Sequence, residues 1–265
     1  MVKIYKMLDK IANREYEMFE FPYFVSKNEL DYNIEYAKEI TKGDWVRRNW
    51  EKQISDSVKH GGKHKYHSSI AKKIVEHGGL ILEIGTGPGG GFMPAVLMEN
   101  FNVNIIISDL CPTVVKQWKK FFDREVNPPN VYYAALNNCD IPFKDNSIDV
   151  ISAGGGFGNT EGDKFKALSE IYRVLKPGGL YVSGDGYVTN EYLLSLPKNV
   201  QDIFKERFPS IFIDFYKESV DVGFKTIDTQ IKGTWSTKGD RSLVADLANE
   251  LGVEIIFSSY IRYCT

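Results

Sequence analysis

Residues 81–91 read ILEIGTGPGGG, an apolar run that ends in an acid and then breaks into glycines. The apolar run predicts a buried strand, and glycines directly after a strand let the backbone approach a ligand closely. Gly85, Gly87 and Gly90 have the G-x-G-x-x-G spacing of dinucleotide-binding folds. Glu83, Gly85, Gly87 and Gly89 also have the spacing E-x-G-x-G-x-G. The stretch alone therefore leaves the nucleotide open.

Apolar runs and helical patterns alternate from residue 79 onward, as repeated βαβ units require. The predicted strands are LILEI (80–84), NVNIIISD (102–109), residues 131–135, IDVISAG (148–154) and LYVSGDG (180–186). The predicted helices between them cover residues 92–100, a segment that starts at Pro112 and carries Val114, Val115, Trp118 and Phe121, and residues 163–175 with Phe165, Leu168, Ile171, Tyr172 and Leu175 on one face. This order predicts an α/β fold with a doubly wound parallel sheet.

The two ends of the chain differ from this middle part. Residues 224–235 and 253–263 are predicted strands joined through one short helix at 243–251, which favours an antiparallel edge pair and a mostly parallel seven-stranded sheet. Residues 1–75 lack a convincing buried strand but hold aromatic-rich helical patterns at Tyr16, Phe19, Phe21, Tyr23, Phe24, Trp45 and Trp50. We therefore expect an N-terminal helical cap over 1–75 and a Rossmann-like domain over 76–265, with a helical insertion around 187–222.

The bulk composition of the chain favours small or neutral partners. Its 265 residues carry a formal net charge of -2, which gives no reason to expect nucleic acid or anionic membrane as a partner. Cys111, Cys139 and Cys264 lie far apart, so neither a disulfide framework nor a thiolate zinc site is expected. No segment has the roughly 18 apolar residues of a membrane span. We expect a cytoplasmic protein; a homo-oligomer is left open.

Two acids help to distinguish the possible nucleotides: Glu83 lies just before the glycines, and Asp109 lies at the end of the second predicted strand. A carboxylate at Glu83 would repel the pyrophosphate of a dinucleotide, whereas it would attract the sulfonium and ammonium groups of S-adenosylmethionine. Glu83 could also have a purely structural role by accepting hydrogen bonds from loop amides. Asp109 ends the second strand, where a carboxylate can accept both ribose hydroxyls of either ligand. It could instead cap the helix that starts at Pro112.

Four blocks in order resemble the class I S-adenosylmethionine-dependent methyltransferase family. They are ILEIGTGPGG (81–90), IIISDL (105–110), IPFKDNSIDVI (141–151) and ALSEIYRVLKPGGLYVSGD (167–185). The resemblance implies S-adenosylmethionine as cofactor and S-adenosylhomocysteine as product. It also implies cofactor contacts by Glu83, Gly85, Thr86, Gly87, Gly89, Asp109, Leu110, Asn137, Asn138 and Gly154. The acid that usually stands near the adenine amino group falls at Asn137, whose amide oxygen can still accept that bond.

The candidates for a general base are less specific. His64, Tyr66 and His67 lie in HGGKHKYH (60–67), and Asp185 and Tyr187 follow the fifth strand. A histidine pair could also hold a metal, but glycines break the helix there and no cysteine is near, so no metal is expected. The insertion at 187–222 lies where many family members build a substrate wall.

The sequence thus predicts a methyltransferase that acts on a small-molecule acceptor. GGGFGNT (154–160) lacks the D/N-P-P-Y of amino-methylating DNA enzymes, so DNA is not an expected partner. The alternatives are an NAD(P)-dependent oxidoreductase, which leaves the later blocks unexplained, and a non-catalytic S-adenosylmethionine-binding protein. If residues 1–60 form a cap, deleting them should spare cofactor affinity more than turnover.

Overall fold

The computed structural model describes residues 6–24, 44–59, 68–158, 160, 163–187, 190–208, 215–238 and 243–265. Its helices are α1 (Lys6–Ile11), α2 (Trp45–Lys59), α3 (Ser68–His77), α4 (Met93–Glu99), α5 (Pro112–Phe121), α6 (Lys164–Val174), α7 (Asn190–Ser195), α8 (Lys198–Arg207), α9 (Phe215–Val222) and α10 (Leu243–Glu250). A π-helical turn, Phe122–Val126, extends α5. Its strands are β1 (Glu17–Met18), β2 (Pro22–Tyr23), β3 (Leu80–Glu83), β4 (Asn104–Asp109), β5 (Val131–Ala135), β6 (Ile148–Gly154), β7 (Leu175–Tyr187), β8 (Ile227–Ser236) and β9 (Ile256–Cys264).

The described strands form one sheet in the order β1-β2-β5-β4-β3-β6-β7-β9-β8. The five central strands are parallel, with β3 between β4 and β6. The last strand, β9, runs antiparallel to both β7 and β8. The order reverses at β3, so the carboxyl ends of β3, β4 and β6 meet at the switch point where open α/β sheets bind ligands. The predicted doubly wound sheet and its antiparallel edge pair are confirmed.

The N-terminal segment corrects the predicted strand count and part of the predicted helical cap. Residues 17–23 form a β-hairpin rather than a helix, and Tyr23 of β2 pairs with Ala135 of β5, which extends the seven-stranded sheet by two short strands. The chain turns at residues 19–21, where the Phe19 amide donates to the Phe21 carbonyl (3.3 Å), and Phe21 is buried whereas Phe19 is exposed. Pro22 lacks an amide hydrogen and is the first residue of β2, a position at which a strand tolerates proline.

Helices cover both faces of the sheet and bury two large apolar clusters. One cluster joins α2, α3, α4 and α5 to the sheet, and the other joins α1, α6 and the end of α9 to the opposite face. The four apolar side chains predicted for α5 are all buried: Val114, Val115, Trp118 and Phe121. A third, smaller cluster joins α7, α8 and α10 to β9. Within the described part of the chain, no helix is long and apolar enough to span a membrane.

The buried face of α6 differs from the prediction. Ala167, Leu168, Ile171 and Val174 are buried, whereas Phe165 and Tyr172 are 46% and 41% exposed. The buried apolar face of α6 consists of Ala167, Leu168, Ile171 and Val174, which recur at helical spacing. The two aromatic rings lie beside this face. Tyr172 instead packs edge-on against Phe224 with ring centroids 5.1 Å apart.

Candidate functional site

Glu83 is a fully buried carboxylate beneath the glycine segment. Its Oε1 accepts hydrogen bonds from the amides of Phe92 (3.0 Å) and Gly154 (3.2 Å), and its Oε2 accepts one from the Ser152 hydroxyl. These bonds join the end of β3 to the start of α4 and to the end of β6. Burial raises the pKa of Glu83 to about 7, although the three donors oppose the shift. The geometry therefore favours the structural role for Glu83 over direct contact with a ligand.

The backbone around Glu83 is packed so closely that two glycines are required. A Cβ on Gly91 would lie 1.9 Å from Glu83 Oε1, and Gly91 has a φ of +57°. A Cβ on Gly156, in the loop after β6, would lie 2.1 Å from the carbonyl oxygen of Ile84. The loop after β3 and the loop after β6 thus touch backbone to backbone. Together they form the packed backbone at the switch point, where open α/β sheets bind ligands.

Asp109 lies at the carboxyl end of β4 and faces the same loop. Its Oδ2 accepts a hydrogen bond from the Gly87 amide (2.8 Å), and its Oδ1 accepts one from the Cys111 amide (2.9 Å). Burial raises the pKa of Asp109 to about 6, although both amides oppose the shift. The N-cap position of α5 is Cys111, so Asp109 supports that helix start without being its cap residue. Each carboxylate oxygen keeps a second lone pair for a ligand hydroxyl.

Three side chains hold the glycine loop from outside through successive carbonyls. Trp118 Nε1 donates to the Gly87 carbonyl (2.8 Å), Asn49 Nδ2 to the Pro88 carbonyl (2.8 Å) and Gln53 Nε2 to the Gly89 carbonyl (3.2 Å). Trp118 belongs to α5, whereas Asn49 and Gln53 belong to α2. Sequence reasoning missed the two α2 residues, because a side chain that binds a distant backbone carbonyl leaves no motif.

The side chains of Thr86, Asn137 and Asn138, which are predicted to contact the cofactor, each form a hydrogen bond within the protein. The Thr86 hydroxyl donates to the Ser108 carbonyl (2.9 Å), so this side chain is directed into the sheet. Asn137 accepts from the Cys139 amide (2.8 Å), and Asn138 donates to the Thr160 hydroxyl (3.1 Å). Leu110 directly follows β4. Asn137 and Asn138 follow β5, the strand next to β4, so all three residues lie at the carboxyl edge of the sheet.

Asp185 lies near the end of β7 and holds the loop that follows β6. Its Oδ1 accepts a hydrogen bond from the Gly158 amide (2.8 Å), and the Gly158 carbonyl accepts one from Lys164 Nζ. Its Oδ2 is buried and has no hydrogen-bond partner among the described residues. Burial raises the pKa of Asp185 to about 7, against the lowering effects of the Gly158 amide, Lys164 and Arg262. This enclosed position favours loop positioning over proton transfer with an acceptor.

The other predicted candidates for a base are not placed by the structure. His64, Tyr66 and His67 lie outside the described residues, and so does the side chain of Tyr187. In the ranges that the structure describes, no group of three or more acidic, histidine or cysteine side chains is arranged to hold a metal ion. A base role for these four residues stays a prediction.

The raised pKa of Asp185 predicts a specific pH dependence of stability. An aspartate with an ordinary pKa of 3.8 ionises in the unfolded chain before it ionises in the fold, where its pKa is about 7. Stability present below about pH 4 is therefore lost as pH rises toward 7. We expect the unfolding temperature of the ligand-free protein to fall by about 3 °C or more between pH 5 and pH 8. Asp185→Asn should reduce this fall, and the surface variant Asp202→Asn should not. Equal falls in all three proteins would contradict the raised pKa of Asp185 in the fold.

The central part of the chain matches a known family. Residues 82–183 match the sequence model of the methyltransferase domain. Among curated proteins, the chain is 29% identical over 128 residues to the ubiquinone/menaquinone biosynthesis C-methyltransferase UbiE of Marinomonas sp. (strain MWYL1). That match covers 48% of this chain and 51% of the relative, so the chain spans about half the length of the relative that it matches.

Solved structures show the same fold. The YcgJ protein of Bacillus subtilis superposes with a TM-score of 0.53 at 19% identity, covering 76% of this chain and 98% of that protein. Phosphoethanolamine N-methyltransferase 2 of Haemonchus contortus, solved with S-adenosyl-L-methionine, superposes with a TM-score of 0.52 at 17% identity, covering 74% of this chain and 52% of that protein. These superpositions show that the chain shares the fold of these two proteins, and residues 82–183 match the methyltransferase domain.

Proposed function

We propose that this protein transfers the methyl group of S-adenosylmethionine to a small-molecule acceptor. The observation that carries the proposal is the pair of buried carboxylates, Glu83 and Asp109, at the carboxyl ends of β3 and β4. Among the residues that the structure describes, no basic side chain contributes to the raised pKa of either acid. A positively charged ligand would compensate the negative charge of the two carboxylates, and S-adenosylmethionine carries a sulfonium and an ammonium group. The pyrophosphate of NAD would add further negative charge and be repelled.

The residues at the switch point fit such a cofactor. Asp109 would hold the ribose hydroxyls, and Asn137 or Asn138 the adenine amino group. The loop of Gly85, Gly87 and Gly89 would face the methionine end. An added Cβ on Gly89 would meet no atom of the described residues within 4 Å, so this side of the loop is open toward them. Glu83 would act through the loop, because its oxygens are already bonded to Phe92, Gly154 and Ser152.

The chemistry asks the protein mainly for alignment. When bound, the cofactor supplies a methyl group that its positive sulfur has already activated. The chain must then hold the acceptor in line with that methyl group and exclude water, and positioning of this kind can supply roughly 7 to 11 kcal/mol. Asp185 contributes by fixing Gly158 in the loop after β6, next to the packed backbone at the switch point. If the acceptor must lose a proton, His64, Tyr66, His67 and Tyr187 are the proposed bases.

We also propose where the acceptor binds and in which cellular compartment the protein works. The insertion that carries α7, α8 and α9 follows β7 beside the switch point, where it could wall an acceptor site. S-adenosylhomocysteine would be the product. Cys111, Cys139 and Cys264 are buried thiols, which supports work in a reducing compartment, and we propose the cytoplasm. No role with DNA is proposed.

Because two buried carboxylates lie near the proposed cofactor site, we expect the affinities for the cationic cofactor and for its neutral product to depend differently on pH. Glu83 and Asp109, with pKa values of about 7 and about 6, become more ionised as pH rises from 5.5 to 7.5. The affinity for S-adenosylmethionine should therefore rise relative to that for S-adenosylhomocysteine, by about fivefold or more. Calorimetric titration with each ligand at both pH values measures the ratio. A ratio that does not change with pH would contradict the electrostatic basis of the proposal.

Methyl transfer itself is tested with radiolabelled cofactor. The purified protein would be incubated with S-adenosylmethionine labelled in its methyl group and with pools of small molecules that offer carbon, nitrogen, oxygen or sulfur nucleophiles. We expect label to appear in at least one acceptor pool, and Asp109→Ala should remove it. Tight cofactor binding with no transfer to any pool would favour a non-catalytic S-adenosylmethionine-binding protein instead.

A further inference from the structure

The N-terminal helix α2 contacts the glycine loop through two amide side chains. Asn49 and Gln53 lie four residues apart, on the same face of the helix. Their side-chain amides donate to the carbonyls of Pro88 and Gly89, at 2.8 Å and 3.2 Å. Both carbonyls lie in the loop between β3 and α4. A segment more than 35 residues earlier in the chain therefore helps to shape the loop.

The helix is fixed in place independently of these two bonds. Trp50 is 8% exposed and packs edge-on against Trp118 and Phe122, with ring centroids 6.5 Å and 5.3 Å apart. Arg47 forms an ion pair with Glu125, in the turn that follows α5. Trp118 in turn donates to the Gly87 carbonyl, so α2 and α5 act as one support. Three successive loop carbonyls are thus held outward by side chains of a packed pair of helices.

This arrangement matters because glycine-rich backbone is costly to order. Glycine loses more conformational freedom on folding than any other residue. A loop that is already held in its binding conformation avoids part of that cost when the ligand arrives. We propose that Asn49 and Gln53 are positioning residues for the cofactor site, which hold the glycine loop ready for the methionine end of the cofactor. This inference rests on the proposed function, which assigns the cofactor to this loop.

If α2 holds the glycine loop, removal of the N-terminal segment should affect cofactor affinity as well as turnover. A helix that only covers the acceptor would affect turnover and leave cofactor affinity intact. A helix that holds the loop must affect cofactor affinity as well. Deleting residues 1–60 should therefore weaken S-adenosylhomocysteine binding, in contrast to the expectation from sequence.

The test uses substitutions that remove the donors and keep the shape. Asn49→Asp and Gln53→Glu replace each amide donor with a carboxylate oxygen, which cannot donate to a carbonyl. We expect the double variant of the full-length protein to bind S-adenosylhomocysteine about tenfold more weakly, measured by calorimetry. Lys52→Ala changes an exposed residue on the same helix and should bind like the wild type.

A second ligand separates loop positioning from general loosening of the fold. 5′-Methylthioadenosine has the adenine, ribose and sulfur of the cofactor but lacks its amino-acid end. The double variant should bind it within about twofold of the wild type, because the loop faces the missing end. An unchanged affinity for S-adenosylhomocysteine would overturn the inference, and so would equal losses for both ligands. A wild-type protein that binds neither ligand would overturn the proposed function itself.

Discussion

Asp109→Ala is expected to weaken S-adenosylhomocysteine binding by at least about 100-fold. The carboxylate would accept both ribose hydroxyls, and hydrogen bonds to a charged group contribute roughly 1.5 to 3 kcal/mol each. Asp109 already accepts from the amides of Gly87 and Cys111, so its loss also frees the loop from the end of β4. Both effects act in the same direction on affinity. Calorimetric titration of the wild type and the variant measures the difference.

The fold of the Asp109 variants must be checked separately. Alanine leaves two amides without their acceptor, and we expect a loss of about 2 kcal/mol in the free energy of unfolding. Asp109→Asn keeps one acceptor oxygen and should be more stable than the alanine variant, yet still bind weakly. Asp123→Ala removes an exposed acid that pairs with Lys119 and should change neither quantity. A wild-type affinity in Asp109→Ala would refute the ribose assignment.

Gly91→Ala is expected to destabilise the whole domain. The new Cβ would overlap Glu83 Oε1 at 1.9 Å, and the backbone at this position has a φ of +57°. Glu83 would have to move, and its bonds to the amides of Phe92 and Gly154 would break. We expect a loss of about 3 kcal/mol or more, seen as a fall of about 6 °C or more in the unfolding temperature.

Gly89→Ala is the matched control for that substitution. It adds the same methyl group to the same loop, but no atom in the described part of the chain lies within 4 Å of the new Cβ, and the φ of Gly89 is not positive. Its unfolding temperature should stay within about 2 °C of the wild type. If Gly91→Ala were equally stable, the buried carboxylate of Glu83 would not join the strands as described.

The central strands could be predicted because they are buried on both faces. A parallel strand with helices on both sides reads as a continuous apolar run, and ILEIG and NIIIS are such runs. The helix at Pro112 was equally clear, since proline favours a first helical turn and its apolar residues follow one face. The acids at the strand ends could be located for the same reason, because each directly follows a strand that is easy to recognise.

The features that the sequence did not predict depend on contacts between distant segments. The β1–β2 hairpin is too short to show a pattern of its own and is held by pairing with β5. The bonds of Asn49 and Gln53 end on backbone carbonyls, which have no sequence signature. Asp185 looked like a free acid after a strand, and only the fold brings Gly158 to it. Its role therefore depends on a loop whose path the sequence leaves open.

We propose that S-adenosylmethionine binds at the carboxyl ends of β3 and β4. Calorimetric titration of the wild-type protein with S-adenosylhomocysteine and, separately, with NAD distinguishes this cofactor from a dinucleotide. We expect S-adenosylhomocysteine to bind with a dissociation constant in the micromolar range, a free energy of about -8 kcal/mol, and NAD not to bind. Binding of NAD alone would rule out S-adenosylmethionine as the cofactor, because a pyrophosphate would then tolerate the buried carboxylates of Glu83 and Asp109.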